Sequence, residues 1–242
     1  MQMKSPTSIS TTYLIVPYGK PQRLSDPGKD FAPEELKKLL QKGLDELNVG
    51  DLMCIFQSYL PAGEYCECAY YLPRAVEYIV KDLPDACSVL DNLLYWMHEN
   101  AERLVQDHLF EPLQEKFTDI FRTDLQSFEL DAPPDPYPLH GDRVNTLFGV
   151  WNKLPRYNFL GDRLLSECLL PPSSYSQAAW IVYFLKDYYS GFSYAQDSRL
   201  ITSWSQDHSL QQAVCNILLE ASLGNETLFN YWDECLARCG LL

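Results

Sequence analysis

The sequence predicts an all-α protein: an array of antiparallel helix pairs of the α-solenoid kind, preceded by a non-helical N-terminal arm. Apolar residues recur at spacings of three and four through most of the chain, as they do on the buried face of a helix. Proline and glycine interrupt this pattern, so the predicted helices are about 10–16 residues long. Many amphipathic helices joined by short turns are typical of stacked helix pairs.

Composition and charge narrow the classes of partner. The chain has 242 residues, of which 46% are hydrophobic, and this is enough for a large core and argues against intrinsic disorder. The formal net charge is −14. Such a charge repels nucleic-acid phosphates and anionic lipids, and it favours a basic protein or a cationic ligand. Solubility is an alternative reason for the acidity.

The sequence predicts a cytoplasmic protein without a membrane segment. No apolar run approaches the roughly 20 residues that a membrane-spanning helix needs, and the early run at residues 13–16 is too short for a signal peptide. The chain has eight cysteines, most of them among apolar residues. We interpret them as reduced and mostly buried, because a chain of this size needs no disulfides to fold.

We predict four segments along the chain. Residues 1–30 form an extended arm, in which residues 13–16 are expected to be either a short strand or part of the arm packed on the body. Two helical halves occupy residues 31–128 and 142–242, and they are expected to pack either as one domain or separately. The connector, residues 129–141, is stiffened by Pro133, Pro134, Pro136 and Pro138.

Residues 65–80 have the pattern of a buried helix with a proline in its middle. Pro73 has no backbone N–H to donate to Ala69, and its ring crowds the preceding turn. We therefore expect the helix to kink within one turn of Pro73, or to stop and restart there. The face expected to be buried consists of Tyr65, Ala69, Leu72, Val76 and Ile79.

Residues that favour helix ends mark most of the other boundaries. Pro33, followed by two glutamates, begins the first helix, because proline and acidic side chains favour the first turn. The pair Gly50–Asp51 is expected to break the chain and cap the next helix, and Asp85 and Asn225 are expected to cap later ones. Pro112 is expected to divide one long apolar pattern, which consists of Leu104, Val105, Leu109, Leu113, Phe117, Ile120 and Phe121.

A short pattern in the first half recurs in the second half. A Leu-Pro pair, a tyrosine and an alanine appear at the same spacing in residues 60–69 and in residues 170–179. A duplicated helical unit would produce this repetition. Chance is the alternative, because the chain is rich in leucine, proline and tyrosine.

Candidate metal ligands lack partners at the required spacing. Cys66 and Cys68 diverge by about 200° on a helix, so they are not expected to hold one metal ion. Cys235 and Cys239 share a helix face, but no second pair accompanies them. Glycine-rich phosphate-binding loops are also absent from the sequence. We therefore predict no metal and no other cofactor.

The histidines do not form a known catalytic motif. Asp107 and Asp207 each precede a histidine, but adjacent residues do not face each other on a helix. We interpret both pairs as helix ends. A Ser–His–Asp or Cys–His site assembled from distant residues stays open, because such sites are defined by geometry. The four histidines are His98, His108, His140 and His208.

Arg74 is the candidate contact residue for a partner or ligand. It follows Pro73 directly and lies between apolar turns of an acidic chain. An arginine in this position is expected either to be held by a carboxylate as a structural tie or to contact a ligand, and the tie is the more frequent arrangement. Glu64, Glu67 and Glu77 either line an acidic groove or lie on a solvated face.

Residues 69–78, Ala-Tyr-Tyr-Leu-Pro-Arg-Ala-Val-Glu-Tyr, resemble the Phe-Leu-Pro-Arg-type motif of a group of uncharacterised bacterial all-helical proteins. In that group a helix beginning Pro-Glu-Glu/Asp-Leu lies upstream, as residues 33–36 do here, and a tryptophan-bearing segment follows, which Trp96 represents. Two tyrosines stand where the group has His and Phe. The resemblance covers residues 32–125 and implies a HEAT-like helical fold, without implying an activity.

These observations predict a non-catalytic protein whose acidic helical surface binds a basic protein partner. An accessory or toxin-neutralising role in a bacterium is the specific version of this prediction, and it rests on analogy. The alternative is a small-molecule-binding protein or hydrolase with a pocket lined by tyrosine and tryptophan. A purely structural subunit is a third possibility. Nucleic acids and membranes are not expected partners.

Overall fold

The computed structural model is mainly helical in the part of the chain that it describes, which comprises residues 14–57, 62–126, 143, 172, 174–189 and 206–242. These residues contain no strand, so the all-α prediction is confirmed. A 3₁₀ helix covers Leu44–Glu46. The described α-helices are α1 (Pro33–Gln41), α2 (Val49–Ile55), α3 (Tyr65–Ala69), α4 (Leu72–Val80), α5 (Ala86–Glu99), α6 (Ala101–Gln106), α7 (Phe110–Gln126), α8 (Tyr175–Tyr189), α9 (His208–Ala221) and α10 (Glu226–Arg238). The α-solenoid arrangement of these helices stays a prediction.

The N-terminal arm is non-helical from residue 14 to residue 32, as predicted. Leu24 is its buried apolar anchor. Ser25 donates two hydrogen bonds to the Glu67 carboxylate, one from its backbone N and one from Oγ, both at 2.8 Å. Residues 14–16 form no strand. The arm is therefore held against the body by side chains of α3.

The first two helices begin in different ways, α1 at a proline and α2 at a capping asparagine. α1 begins at Pro33, as predicted. α2 begins at Val49, so the prediction that Gly50–Asp51 breaks the chain and caps this helix was wrong. Its N-cap is Asn48, whose Oδ1 accepts a hydrogen bond from the Asp51 backbone at 3.1 Å, while the Asp51 carboxylate accepts one from the Asn48 backbone at 2.9 Å. This reciprocal capping box satisfies two free N–H groups and fixes the earlier start.

Residues 65–80 form two helices with a break between them, as predicted. α3 ends at Ala69 and α4 begins at Leu72, so two tyrosines lie in the turn. Pro73 occupies the first turn of α4, where its missing N–H leaves no hydrogen bond unmade. The predicted buried face is also confirmed, since none of its members, Tyr65, Ala69, Leu72, Val76 and Ile79, is more than 7% exposed.

Helix α5 is surrounded by other helices of the first half. It packs against α2, α4 and α6. Asp85 immediately precedes α5, but the prediction that its side chain caps the helix was wrong. Its backbone is left-handed, with φ of 61°, whereas a capping side chain requires an extended residue at this position. The buried face of α5 includes Leu90, Leu93, Leu94 and Met97.

The long apolar pattern divides earlier than expected. α6 ends at Gln106 and α7 begins at Phe110. Pro112 lies in the first turn of α7, which tolerates proline, so the prediction that it divides the helix was wrong. Val105 was also wrongly assigned to the core, because it is 56% exposed. The other members of the pattern are buried.

Helices α8, α9 and α10 pack against one another. Asn225 caps α10, as predicted, by accepting a hydrogen bond from the backbone N of Leu228 at 3.1 Å. Asp207 caps α9 in the same way, through the backbone N–H groups of Ser209 and Leu210. Trp232 is fully buried. Amide and carboxylate caps therefore define where two of these three helices begin.

The described residues belong to two compact units. The first contains residues 14–57 and 62–120 with Arg143, and the second contains the described residues from 121 onwards other than Arg143. The predicted connector, residues 129–141, lies outside the described residues, so the predicted segments stay a prediction. None of the helices in the described ranges has both the length and the apolar character that crossing a bilayer requires.

Candidate functional site

An aromatic stack at the start of α3 forms the base of the candidate site. Tyr65, the first residue of α3, stacks on Trp96 of α5, with ring centroids 5.5 Å apart and ring planes 2° from parallel. Phe56 packs edge-on against Trp96 at 5.2 Å. The N-terminal arm places the Tyr18 ring edge-on to Tyr65 at 5.8 Å. Because Tyr65 and Trp96 are nearly fully buried, packing fixes the orientation of both rings.

Asp107 supplies the negative charge of the site. It follows the last residue of α6, so it lies at a helix end, as predicted. Its Oδ2 atom accepts hydrogen bonds from Tyr18 Oη at 2.6 Å and from Tyr65 Oη at 2.7 Å. Hydrogen bonds to an ionised acceptor are shorter and stronger than neutral ones. Oδ1 accepts none from the described residues, and no described lysine or arginine forms an ion pair with this carboxylate.

Both tyrosines keep their hydroxyl protons. Burial raises the pKa of Tyr65 far above its usual value, and the hydrogen bond to Asp107 and the charge of Asp107 raise it further. The same three causes, in the same order, raise the pKa of Tyr18. Free tyrosine already titrates only near pH 10. The two hydroxyls therefore remain donors to the carboxylate.

A cation and a thiol lie beside the two tyrosines. Arg103 is exposed and lies on α6, one turn before Asp107. Its guanidinium carbon is 5.3 Å from the centroid of the Tyr65 ring. This distance is that of a cation–π contact. Cys66 is an exposed thiol whose proximity adds to the raised pKa of Tyr18. We call Tyr18, Tyr65, Cys66, Arg103 and Asp107 the Asp107 cluster.

Arg74 has the contacts of a structural tie. Its Nη1 atom donates to Glu77 Oε2 at 3.0 Å, and its Nη2 atom donates to the Leu47 carbonyl at 3.2 Å. The side chain is only 13% exposed. Hydrogen bonds from Lys81 and from Arg74 hold the pKa of Glu77 below its usual value. A contact between Arg74 and a partner stays a prediction.

The carboxylates proposed for an acidic groove are largely engaged within the chain. Glu67 accepts hydrogen bonds from the N-terminal arm and from the backbone N of Glu64. Glu77 pairs with two cations. These residues therefore do not offer a row of free carboxylates.

Cys66 and Cys68 point in different directions, as the helical spacing indicates. Cys66 is exposed, whereas Cys68 is buried and donates to the carbonyls of Ile55 and Gly63 at 3.3 Å. Burial raises the pKa of Cys68 to about 12, so this thiol is unreactive. In the described ranges no group of three or more metal-binding side chains comes together. Cys168 lies outside these ranges.

The two Asp–His pairs of the sequence, Asp107–His108 and Asp207–His208, both lie at helix ends, as predicted. His108 is exposed, directly follows Asp107 and has a left-handed backbone with φ of 58°. His208 is the first residue of α9, after its cap Asp207. His98 is half-buried, and His140 lies outside the described residues. None of the described histidines hydrogen-bonds to the carboxylate of Asp107.

Unpaired carboxylates lie on the exposed sides of α7 and α10. Glu111 and Glu115 are one turn apart on α7, and neither has an ion-pair partner among the described residues. On α10, Glu226 and Asp233 lie on the same side of the helix as the partly exposed Phe229. Many cations, in contrast, are paired within the chain, in Lys42–Asp51, Arg74–Glu77, Lys81–Glu77 and Arg238–Glu234.

The sequence did not identify most of the Asp107 cluster. Tyr18 lies in the arm, which has no pattern, and its partner Asp107 is 89 residues away. Asp107 was recognised only as a helix end. One signal was available at Tyr65, since a tyrosine on a buried face needs a hydrogen-bond partner for its hydroxyl.

Comparison of the chain with protein-family models, with curated proteins and with solved structures found no match. The resemblance of residues 69–78 to a bacterial helical group therefore stays a prediction.

Proposed function

We propose that the protein is a non-catalytic interaction protein of the cytoplasm, whose acidic helical surface binds a basic protein partner. The observation that carries the proposal is the set of exposed carboxylates without a described cation, Glu111 and Glu115 on α7 and Glu226 and Asp233 on α10. A net charge of −14 adds long-range attraction for a basic partner.

The same charge argues for a particular range of partners. Nucleic-acid phosphates and anionic membranes are repelled, so neither is part of the proposal. An α-solenoid array, if the helices form one, would offer an extended surface for a folded protein. An accessory or toxin-neutralising role in a bacterium is the specific form that we propose, and it rests on charge and fold class.

The test is affinity capture from cells that express the protein, followed by identification of the retained proteins. We expect basic proteins to be enriched and to be released as salt rises from about 0.05 to 0.5 M, because exposed ion pairs are screened over this range. A variant with Glu111→Gln, Glu115→Gln, Glu226→Gln and Asp233→Gln should retain less. The control variant, Lys37→Gln with Lys38→Gln, should not retain less of these basic proteins than the wild type does. Retention that salt leaves unchanged would contradict the proposal.

The Asp107 cluster favours a second candidate function. Tyr18 and Tyr65 donate hydrogen bonds to a carboxylate, Trp96 stacks on Tyr65, and the thiol of Cys66 is close to Tyr18. A small-molecule-binding protein or hydrolase would use such a set of groups. Hydrolysis of activated esters by the purified chain, lost in both Cys66→Ser and Asp107→Asn, would support this candidate. Equal rates in both variants and in the wild type would exclude it.

A further inference from the structure

Asp107 is a half-buried negative charge that hydrogen bonds satisfy only in part. Both hydrogen bonds reach Oδ2, while Oδ1 accepts none from the part of the chain described. A carboxylate oxygen has two acceptor positions. Charges removed from water are normally paired with a charge of opposite sign. Oδ1 is therefore the position at which a cation would complete this group.

The carboxylate is already oriented for such a cation. The hydroxyls of Tyr18 and Tyr65 fix Oδ2 from two sides. Tyr65 is in turn fixed by its parallel stack on Trp96. A ligand that binds here does not have to immobilise the group that it contacts, and such preorganisation favours binding.

Arg103 indicates the chemical class of the ligand. Its guanidinium lies over the Tyr65 ring, so the site already accepts a guanidinium on an aromatic face. Arg103 is exposed, and the cation–π contact is its only described side-chain interaction. Such contacts are weak at exposed positions, and a competing cation can displace them.

We propose that the Asp107 cluster binds an arginine side chain of the basic partner. The incoming guanidinium replaces that of Arg103 over the Tyr65 ring and donates a hydrogen bond to Asp107 Oδ1. Guanidinium suits both contacts, because it is planar, stacks on aromatic rings and hydrogen-bonds to carboxylates. The inference rests on the proposed function, since it names the place where the partner is recognised.

The experiment uses the full chain and two synthetic peptides. One is a capped heptapeptide in which glycine alternates with three arginines, and the other has lysine in place of arginine. Binding is measured by isothermal titration calorimetry at low salt. We expect the arginine peptide to bind about 3-fold or more tightly than the lysine peptide, because a lysine ammonium cannot stack as a planar group.

Two carboxylate variants test the position of the site. Asp107→Asn keeps an acceptor for the tyrosines and removes the charge, and it should weaken binding of the arginine peptide about 10-fold or more, as loss of a partly desolvated charge pair does. Glu34→Gln removes one exposed charge on α1, outside the carboxylates proposed above to bind the partner, and should change binding less than about 2-fold. Equal losses in both variants would overturn the site and leave the proposed function standing.

Two cation variants keep the proposal testable if Asp107→Asn does not fold. Arg103→Gln removes the guanidinium that competes for the Tyr65 ring, and it should tighten binding of the arginine peptide several-fold. Lys37→Gln removes one exposed positive charge on α1 and should tighten binding clearly less. Equal gains would overturn the site. If neither peptide binds the wild type at any salt concentration, the proposed function fails together with the site.

Discussion

Tyr65 and Tyr175 occupy equivalent positions in the two units of the protein. Each is the first residue of its helix, α3 or α8, and each packs on a tryptophan of a later helix. Tyr65 stacks on Trp96 with parallel rings, whereas Tyr175 meets Trp232 edge-on at 6.0 Å. The alanine four residues further on is fully buried in both helices. The repeated spacing therefore predicts the same local placement twice.

The two hydroxyls nevertheless have opposite roles. Tyr65 Oη donates to the carboxylate of Asp107, whereas Tyr175 Oη accepts a hydrogen bond from Trp232 Nε1 at 3.0 Å. The partner differs because it comes from a distant part of the chain in each unit. Local spacing thus determines where the ring lies, and remote residues determine what its hydroxyl does. Among the described residues, a charged side chain hydrogen-bonds to the hydroxyl of Tyr65 but not to that of Tyr175.

The backbones also diverge one helical turn later. α3 ends at Ala69 ahead of Pro73, whereas α8 continues without a break to Tyr189. The residue of α8 that corresponds to Pro73 in the repeated spacing is Tyr183. The proline accounts for the break in one helix and its absence for the continuity of the other. Whether the two segments arose by duplication stays a prediction.

The largest expected effect comes from exchanging the proline between the two helices. Tyr183→Pro places a proline in the interior of α8, where it removes a backbone hydrogen bond and clashes with the preceding turn. We expect the free energy of unfolding to fall by about 3 kcal/mol or more. Tyr183→Ala is the matched control for loss of the side chain. Urea unfolding followed by circular dichroism measures both variants, and equal losses would contradict this explanation of the break.

Removal of the proline from α4 should leave the stability of the protein nearly unchanged. Pro73 lies in the first turn of α4, where no backbone hydrogen bond depends on its nitrogen. Pro73→Ala is therefore expected to change the free energy of unfolding by less than about 1 kcal/mol. A loss as large as that in Tyr183→Pro would show that Pro73 stabilises α4 rather than merely interrupting α3.

The fold was predictable where it depends on local chemistry. The break before Pro73, the start of α1 at Pro33 and the cap at Asn225 each follow from one residue and its neighbours. Asp85 was misread because its backbone is left-handed, and Pro112 was misread because it lies in the first turn of a helix that begins at Phe110. Sequence spacing carries no record of those conformations.

The candidate site was much less predictable than the fold. Asp107 becomes a binding group only because the arm brings Tyr18 to it across 89 residues of sequence. A contact between a patternless arm and a helix end has no periodic signal. For Arg74, which the sequence did single out, a carboxylate was one of the two expected partners, whereas its contact with the Leu47 carbonyl was not expected.

Double-mutant cycles should show that the hydrogen bonds of Tyr65 and Tyr175 differ in strength. The expected coupling energies are smaller than the loss of stability expected for Tyr183→Pro. Tyr65→Phe combined with Asp107→Ala, which removes the acceptor as well as the charge, tests a hydrogen bond to a charged acceptor, so we expect a coupling energy of about 1.5–3 kcal/mol. Tyr175→Phe combined with Trp232→Phe tests a neutral hydrogen bond, and about 0.5–1.5 kcal/mol is expected. Urea unfolding of the single and double variants gives both values. Equal couplings would show that the charge of Asp107 adds nothing.

The two tyrosines should also differ in their effect on stability at alkaline pH. Burial and Asp107 raise the pKa of Tyr65, whereas burial raises that of Tyr175 and the hydrogen bond from Trp232 partly opposes this. Above about pH 10 the unfolded tyrosine loses its proton while the folded one keeps it, so the free energy of unfolding falls as pH rises, by at most about 1.4 kcal/mol per pH unit for each such group.

Removing either hydroxyl should flatten this alkaline decline, and Tyr65→Phe should flatten it more than Tyr175→Phe. The reason is that Asp107 resists ionisation of Tyr65 with a full negative charge, while the Trp232 N–H favours the ionised form of Tyr175. Unfolding curves between pH 8 and 11 measure the slopes. A steeper effect for Tyr175→Phe would mean that burial alone, without the carboxylate, controls these two tyrosines.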